Sequence, residues 1–334
     1  MRNYVWCQIN PAEALRLTGI GQTCYAWSLA EYLFHGAQWG ISVALDNYYY
    51  YRLAVWLVEH LPHWMLTAIA VIGSDLTFLL SGRARRGVLA NQAHVLPAGA
   101  SRRERLRSAR ATFRYGALAI IDFFRMTRLN RGNLDRFVGE MIGWEHVESA
   151  MRAGAGGIFV TLHMGSWELA GAYEGLRGVP LTVVALPHPD PRVDRIFLNI
   201  RSEAGMETVP VGGALRRLQA ALAEGRFTAI LADREVSGRG LRLPFFGQVT
   251  RVPAGHAVLA LRTGAWILPN CSYRRPDGKL VIECRPPIVP DRSRDTKESL
   301  TIRCLEILEE FIRAHPEQWA CYYDLWDQGE LTGA

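Results

Sequence analysis

Lysine is almost missing from this sequence. Lys279 and Lys297 are the only two among 334 residues, so the net charge of +6 at pH 7 rests on arginine. A basic balance suits anionic partners: phospholipid headgroups, an acidic carrier protein, phosphorylated substrates or nucleic acid. No nucleic-acid motif accompanies the arginines, which argues against the last of these. Cysteine is scarce as well. The six present (Cys7, Cys24, Cys271, Cys284, Cys304, Cys321) show no C-x-x-C spacing, as expected of reduced cysteines in a cytosolic protein with neither a disulfide framework nor a zinc site. No other metal motif is present, and no cofactor is implied. No apolar run reaches the roughly 18–20 clean residues of a spanning helix. Leu17–Ala30 and Tyr32–Leu45 are split by Glu31, and Trp64–Ser74 is split from Leu76–Leu80 by Asp75. Glu13 and Arg16 precede the first apolar stretch, which excludes a compact signal peptide. Internal repeats and low-complexity tracts are missing too.

With 49% hydrophobic and 21% charged residues, the composition is globular, and the length suffices for one large α/β domain or two smaller ones. Residues 1–100 are apolar and helical in pattern. Tyr48 to Tyr51, Trp56 and Trp64 sit at the edges of the apolar segments, followed by Arg83, Arg85 and Arg86. This pattern fits helices lying in a headgroup layer; the other reading is a buried helical hairpin in a soluble domain. Ser101–Arg128 forms a further helix with a strongly basic first half (Arg102, Arg103, Arg105, Arg107, Arg110, Arg114).

From about residue 140 strands and helices alternate. Gly157–Leu162, Leu181–Leu186, Phe227–Ala232, Trp266–Tyr273 and Leu280–Cys284 have strand texture. The helical stretches are Glu168–Arg177, Val193–Ala204, Ala214–Glu224, Ala254–Thr263 and finally Thr296–Ala314. The fold expected is α/β: an αβα sandwich on a mostly parallel sheet, preceded by a helical membrane-associating region. Residues 1–100 form that region and residues 101–330 the α/β domain.

The chemistry gathers at Thr161–Glu168. His163 falls where an apolar strand ends, the usual place for a ligand-facing residue in an open α/β sheet. Ser166 can cap the next helix and put Glu168 in its first turn. On one continuous helix, residues five apart point about 140° away from each other. A break at Gly165 is therefore needed to bring His163 and Glu168 together. Once adjacent, the carboxylate can fix the imidazole tautomer and stabilise the imidazolium formed when a hydroxyl is deprotonated. The same residues also read as a helix cap, with Glu168 favouring the helix dipole and His163 satisfied by backbone. No G-x-S-x-G elbow occurs, which counts against a serine hydrolase.

His163-x4-Glu168 resembles the H-x4-D/E motif of the glycerolipid acyltransferase superfamily. More narrowly, the chain resembles the bacterial lipid A late acyltransferases (lauroyl and myristoyl transferases), together with the phosphatidylinositol mannoside acyltransferases. The resemblance runs from about residue 50 to 326. Gly143-Trp144-Glu145 and Gly154–Glu168 resemble the approach to that motif, and Arg201 to Gly205 resembles an R-x3-G element. Asp233-Arg234 is similar to a D-[QR] block, Leu243–Gly247 to an FFG block, Ala260–Pro269 to a strand block, and His315–Trp319 to h-P-e-Q-W. Residues 1–40, the charge at Asp75 and the ending Ala320–Trp326 depart from the pattern.

The resemblance implies transfer of an acyl group directly from a thioester of acyl carrier protein or coenzyme A to a hydroxyl of a membrane glycolipid. His163 is then the base, with Glu168 beside it, and no acyl-enzyme forms. The expected place is the cytoplasmic face of the inner membrane. Arg201 and Arg234 are candidates for holding the thioester oxygen or a substrate phosphate. Asp233 is a candidate to orient Arg234 or the acceptor, and Phe245 and Phe246 to wall the acyl pocket or pack the core. A lysophospholipid or glycerol-phosphate acyltransferase of the same superfamily is the alternative.

Overall fold

The computed structural model describes residues 47–211, 213–235 and 239–327. The apolar stretches Leu17–Ala30 and Tyr32–Leu45 lie outside the described residues. Four helices open the described chain: α1 (Tyr48–His60), α2 (His63–Leu80), α3 (Gly82–Val95) and α4 (Arg102–Arg125). α4 starts in a reciprocal capping box. The Glu104 N–H donates to Ser101 Oγ at 3.2 Å, and the Ser101 N–H to Glu104 Oε2 at 2.7 Å, which satisfies two otherwise orphaned donors. It ends before Arg128 because the chain tightens into a 3-10 turn over Met126–Arg128.

α2 is long and apolar enough to cross a membrane by length and composition. One face of it, Leu66, Ala70, Ser74 and Phe78, is buried at helical spacing against α4. Ile69, Ile72, Leu76, Leu79 and Leu80 stay exposed. Asp75, which interrupts the apolar run, is claimed by two guanidiniums of α4: Nη2 of Arg110 and of Arg114 reach its Oδ2 at 2.6 and 2.7 Å. The charge that breaks the apolar pattern in the sequence thus serves to join two helices.

The rest alternates as expected. Nine strands follow among the described residues: β1 (Val138–Ile142), β2 (Gly157–Thr161), β3 (Leu181–Ala185), β4 (Met206–Pro210), β5 (Phe227–Leu231), β6 (Leu241–Phe245), β7 (Gln248–Val252), β8 (Trp266–Arg274) and β9 (Leu280–Cys284). Between and after them lie α5 (Trp144–Ala153), α6 (Trp167–Leu176), α7 (Pro191–Glu203), α8 (Ala214–Ala223), α9 (Gly255–Thr263) and α10 (Lys297–Ala314). Seven strands form one sheet in the order β1-β9-β8-β2-β5-β3-β4. Every pairing in it is parallel except β8 with β9. β6 and β7 make a separate antiparallel hairpin whose turn residues, Phe246 and Gly247, both take positive φ (50° and 76°). That conformation matches the right-handed twist of flanking strands. β1, β4 and this hairpin have no counterpart in the strands expected from sequence. β1 and β4 are the two edges of the sheet and are partly exposed, so neither carries the apolar run that marks an interior strand.

Strand periodicity builds the sandwich. Phe159 of β2 points to one face and belongs there to a core shared with Val147 of α5, Leu169 of α6, Phe197 of α7 and Phe123 of α4. Ile158 and Val160 point to the other, towards Leu222 of α8, Leu259 of α9 and Leu308 of α10. β2 is buried at every residue, as expected for the central strand of a parallel sheet covered on both faces.

One buried acid sits inside this packing. Glu174 of α6 is fully enclosed, with Asn270 Nδ2 donating to its Oε1 at 2.9 Å. Burial pushes its carboxyl up to about 8 from an ordinary 4.5. A folded-state value above the unfolded one favours folding fully at low pH, and the benefit is lost as pH rises towards the folded value. Glu174→Gln, which keeps the acceptor and removes the titration, should therefore match wild type in melting temperature near pH 4.5. At pH 8 it should melt several degrees higher. Parallel melting curves for the two proteins across this range would show that Glu174 does not titrate in the fold.

Candidate active site

The register of β2 against β5 decides the site. Thr161 is opposite Leu231 in this parallel pair, and the Ala232 N–H still donates to the Thr161 carbonyl at 2.9 Å. Two residues further along each strand, His163 and Asp233 emerge side by side at the carboxyl edge of the sheet. His163 Nδ1 and Asp233 Oδ1 are 2.8 Å apart. Asp233 Oδ2 accepts the His163 backbone N–H at 3.1 Å and the Trp319 indole N–H at 2.8 Å. Both side chains are almost enclosed, at 11% and 2% exposure. Burial alone would raise the Asp233 carboxyl. The His163 charge and hydrogen bond, with the Trp319 N–H, hold it below the usual carboxylate range.

The partner on Nδ1 is thus Asp233, 70 residues away, in the part that sequence spacing gave to Glu168. Glu168 does sit in the first turn of α6, but Arg201 of α7 takes both of its oxygens. Arg201 Nη2 donates to Oε1 at 2.6 Å and Nε to Oε2 at 3.1 Å. The guanidinium also packs within 6 Å of the Phe123 and Phe197 ring centres, at 5.5 and 5.8 Å. Burial would lower the Arg201 pKa, but the Glu168 charge more than offsets it and leaves the guanidinium more firmly protonated than usual. The pair ties α6 to α7.

Gly165 makes the expected break. Its φ is +58°, and a Cβ there would run into the Ser272 carbonyl oxygen on β8. Ser166 is at the helix boundary but does not cap with its side chain. Its hydroxyl donates instead to Asp122, an acid of α4 that sequence reasoning passed over. Asp122 also accepts from Arg274 and lies 3.3 Å from Arg125 Nη1. The signal for it was a lone acid within the apolar run Leu118 to Phe124.

The His315–Trp319 block seals the other side of the loop. Gly165 N–H donates to the Gln318 carbonyl at 3.2 Å, and Ala320 N–H to the His163 carbonyl at 2.7 Å. Beyond it, Ala320–Tyr323 line a narrow cleft with His163, Asp233 and Arg234. The Arg234 guanidinium packs over the Tyr323 ring at 5.5 Å. Cys321 also lines this cleft, yet burial pushes its thiol up to about 12, so it offers no thiolate nucleophile. Phe245 is fully buried against Trp319 and Trp326, which makes it a core residue. Phe246 occupies the hairpin turn, with its N–H held by Glu309 Oε1 at 2.6 Å. Among the described residues no group of three His, Cys, Asp or Glu side chains could hold a metal ion.

The chain has recognisable relatives among known proteins. Residues 41–328 match the family model for bacterial lipid A biosynthesis acyltransferases. The chain is 28% identical over 210 residues to a phosphatidylinositol mannoside acyltransferase of Mycobacterium tuberculosis, covering 61% of this chain and 66% of that protein. It is 32% identical over 159 residues to the enzyme of the same name from Mycolicibacterium smegmatis (46% and 52%). It is 26% identical over 191 residues to the lipid A biosynthesis lauroyltransferase of Escherichia coli (54% and 59%). The matched segment thus spans just under two thirds of the first of these relatives and a little over half of the other two.

Removing one partner of an ion pair that is mostly enclosed, with 13% exposure for Arg201 and 24% for Glu168, strands the other, at a cost towards the lower end of about 3–5 kcal/mol. Glu168→Ala and Arg201→Ala should each lose roughly that much stability in urea unfolding. The double variant should lose less than the two together, with a coupling of about 1–3 kcal/mol. Simple additivity would mean that the two side chains do not support one another.

Proposed function

The chain belongs to the bacterial lipid A biosynthesis acyltransferase family, and on that premise we propose that it transfers a fatty acyl group from an acyl thioester to a hydroxyl of a glycolipid. The observation that carries the mechanism is the 2.8 Å approach of Asp233 to His163 Nδ1. With the Nδ1 proton held by a carboxylate, the imidazole lone pair is on Nε2. Nε2 takes the proton of the acceptor hydroxyl as its oxygen attacks the thioester carbonyl. The tetrahedral intermediate then collapses, the carbon–sulfur bond breaks, and the departing thiolate takes the proton back from His163. Asp233 stabilises the imidazolium between these steps. No covalent acyl-enzyme is required, in keeping with a cleft whose one thiol stays protonated.

Glu168 acts through Arg201 in this reading. The pair fixes the first turn of α6 and with it the loop that carries His163. Arg234, which lines the cleft, is the arginine placed to meet a substrate phosphate or the thioester oxygen. Donor thioesters of acyl carrier protein or coenzyme A both suit this chemistry. A phosphorylated saccharide lipid is the acceptor that the names of the relatives favour.

The proposed site of action is the cytoplasmic face of the inner membrane. Tyr49, Tyr50, Leu53 and Trp56 of α1 and Trp64, Ile69, Ile72 and Leu76 of α2 are exposed together. An apolar surface of this extent on neighbouring helices marks a membrane or partner contact. Its tryptophans and tyrosines suit the headgroup boundary.

Two measurements test the reading. With a long-chain acyl thioester and a phosphorylated glycolipid, His163→Ala and Asp233→Asn should each lower kcat by about 10²–10⁴-fold while remaining folded. Turnover near that of wild type in folded His163→Ala protein would overturn the mechanism, and a clear kinetic preference for a lysophospholipid would overturn the acceptor. In lysates the protein should pellet with membranes and be only partly released by high salt, since apolar contacts are unscreened. Replacing Trp56, Trp64 and Ile72 by serine should shift it to the supernatant. Equal partitioning of this variant and wild type would remove the α1–α2 surface from membrane binding.

A further inference from the structure

A second cavity, outside the catalytic cleft, lies where the turn between α1 and α2 meets the end of α4. It is lined by His63, Arg125, Arg128, Asn133 and Arg136, over an apolar floor that includes Phe137. Three guanidiniums and an imidazole face it, and no carboxylate is among its lining residues. Among the described residues, the carboxylate paired with these arginines is that of Asp122, and it is already shared between Arg125, Arg274 and the Ser166 hydroxyl. Arg128 is anchored by the Glu59 carbonyl, and Arg125 is braced over the Phe137 ring at 4.7 Å. Both are therefore held in place rather than free to swing into solvent. α2 begins at this cavity with no side-chain cap and no acidic residue in its first turn, so its positive end is uncompensated. His63 titrates below its ordinary value, because of burial and then the charge of Arg125, as expected beside fixed positive charge.

We propose that this cavity binds a phosphoryl group. Arginines held by neighbouring groups and converging on one space meet a tetrahedral oxyanion through paired, charge-assisted hydrogen bonds. Location selects the source. Trp56 and Trp64, both exposed, stand on either side of the α1–α2 turn, and indoles favour the headgroup layer of a bilayer. The phosphoryl group is that of a membrane phospholipid, and the cavity fixes how the protein sits on the surface. Asp122 links Arg125 to Ser166 in the loop after His163, so an occupied cavity and the catalytic loop share one carboxylate.

The test uses full-length protein, phosphatidylcholine vesicles with and without phosphatidic acid, and inorganic phosphate. Arg128→Gln/Arg136→Gln is compared with Arg102→Gln/Arg103→Gln, an equal loss of charge at the far end of α4. The cavity variant should bind phosphatidic acid vesicles roughly tenfold or more weakly than wild type, and the control variant should lose much less. Phosphate should displace wild type from the vesicles better than chloride at equal ionic strength. Calorimetric binding of phosphate by wild type and not by the cavity variant, with vesicle binding equal in all three proteins, would keep the site but assign it to a soluble phosphoryl group. Equal losses for both double variants, with no phosphate binding by wild type, would overturn the proposal and leave only diffuse basic attraction. Thermal melts check that the variants fold. His163→Gln protein should bind as wild type does, so failure of the acyl-transfer reading and failure of this one are separable.

Discussion

The pairing of β2 with β5 is the constraint on which the site depends. These strands are neighbours in space although β3 and β4 intervene in the chain. Their register puts Thr161 opposite Leu231, and everything two residues beyond follows from it. A slip of one residue would point His163 and Asp233 to opposite faces of the sheet. The register is held by what the strands bury. Ile158, Phe159 and Val160 are fully enclosed, and in a strand covered on both faces a slip would exchange the side chains that fill two different cores. The cost of misalignment there is that of unpacking several large apolar side chains, at about 1.5–3 kcal/mol each.

Around this frame, among the described residues, three acids near the site each have a cationic or imidazole partner. Asp233 answers His163, Glu168 answers Arg201, and Asp122 answers Arg274. An isolated buried charge would be far more costly than any of these pairs is favourable. They are therefore better understood as fixing geometry than as supplying stability. The Glu168–Arg201 fork, with two parallel hydrogen bonds, sets direction as well as distance.

Much of the fold was legible because its interior strands and helices carry plain periodic signals. Leu280–Cys284 was expected with the bounds observed, and Thr296–Ala314 within a residue. His163 was found because it ends an apolar strand, and Gly165 because a turn was needed there. In the structure the neighbour of His163 Nδ1 differs from the carboxylate that spacing suggests, for a physical reason. Spacing reports only neighbours along the chain, and Glu168 was the nearest carboxylate. Asp233 becomes a neighbour only through strand order, which one sequence does not state. Ser166 was read as a cap because serine before a helix usually is one; here a buried aspartate on α4 is the stronger acceptor for its hydroxyl. The edge strands β1 and β4 were missed because half-exposed residues blur alternation.

The indole of Trp319 completes the set of donors on Asp233, and this has a bearing on how the protein is made. A chain made as far as α10 contains both β2 and β5, so the strands that lead to His163 and Asp233 can pair before Trp319 is present. It still lacks the indole donor and the backbone contacts that close the loop. The central strands can therefore pair while the loop that carries His163 is still open on that side. The full set of hydrogen bonds around Asp233 is complete only once the last block of the fold has been added.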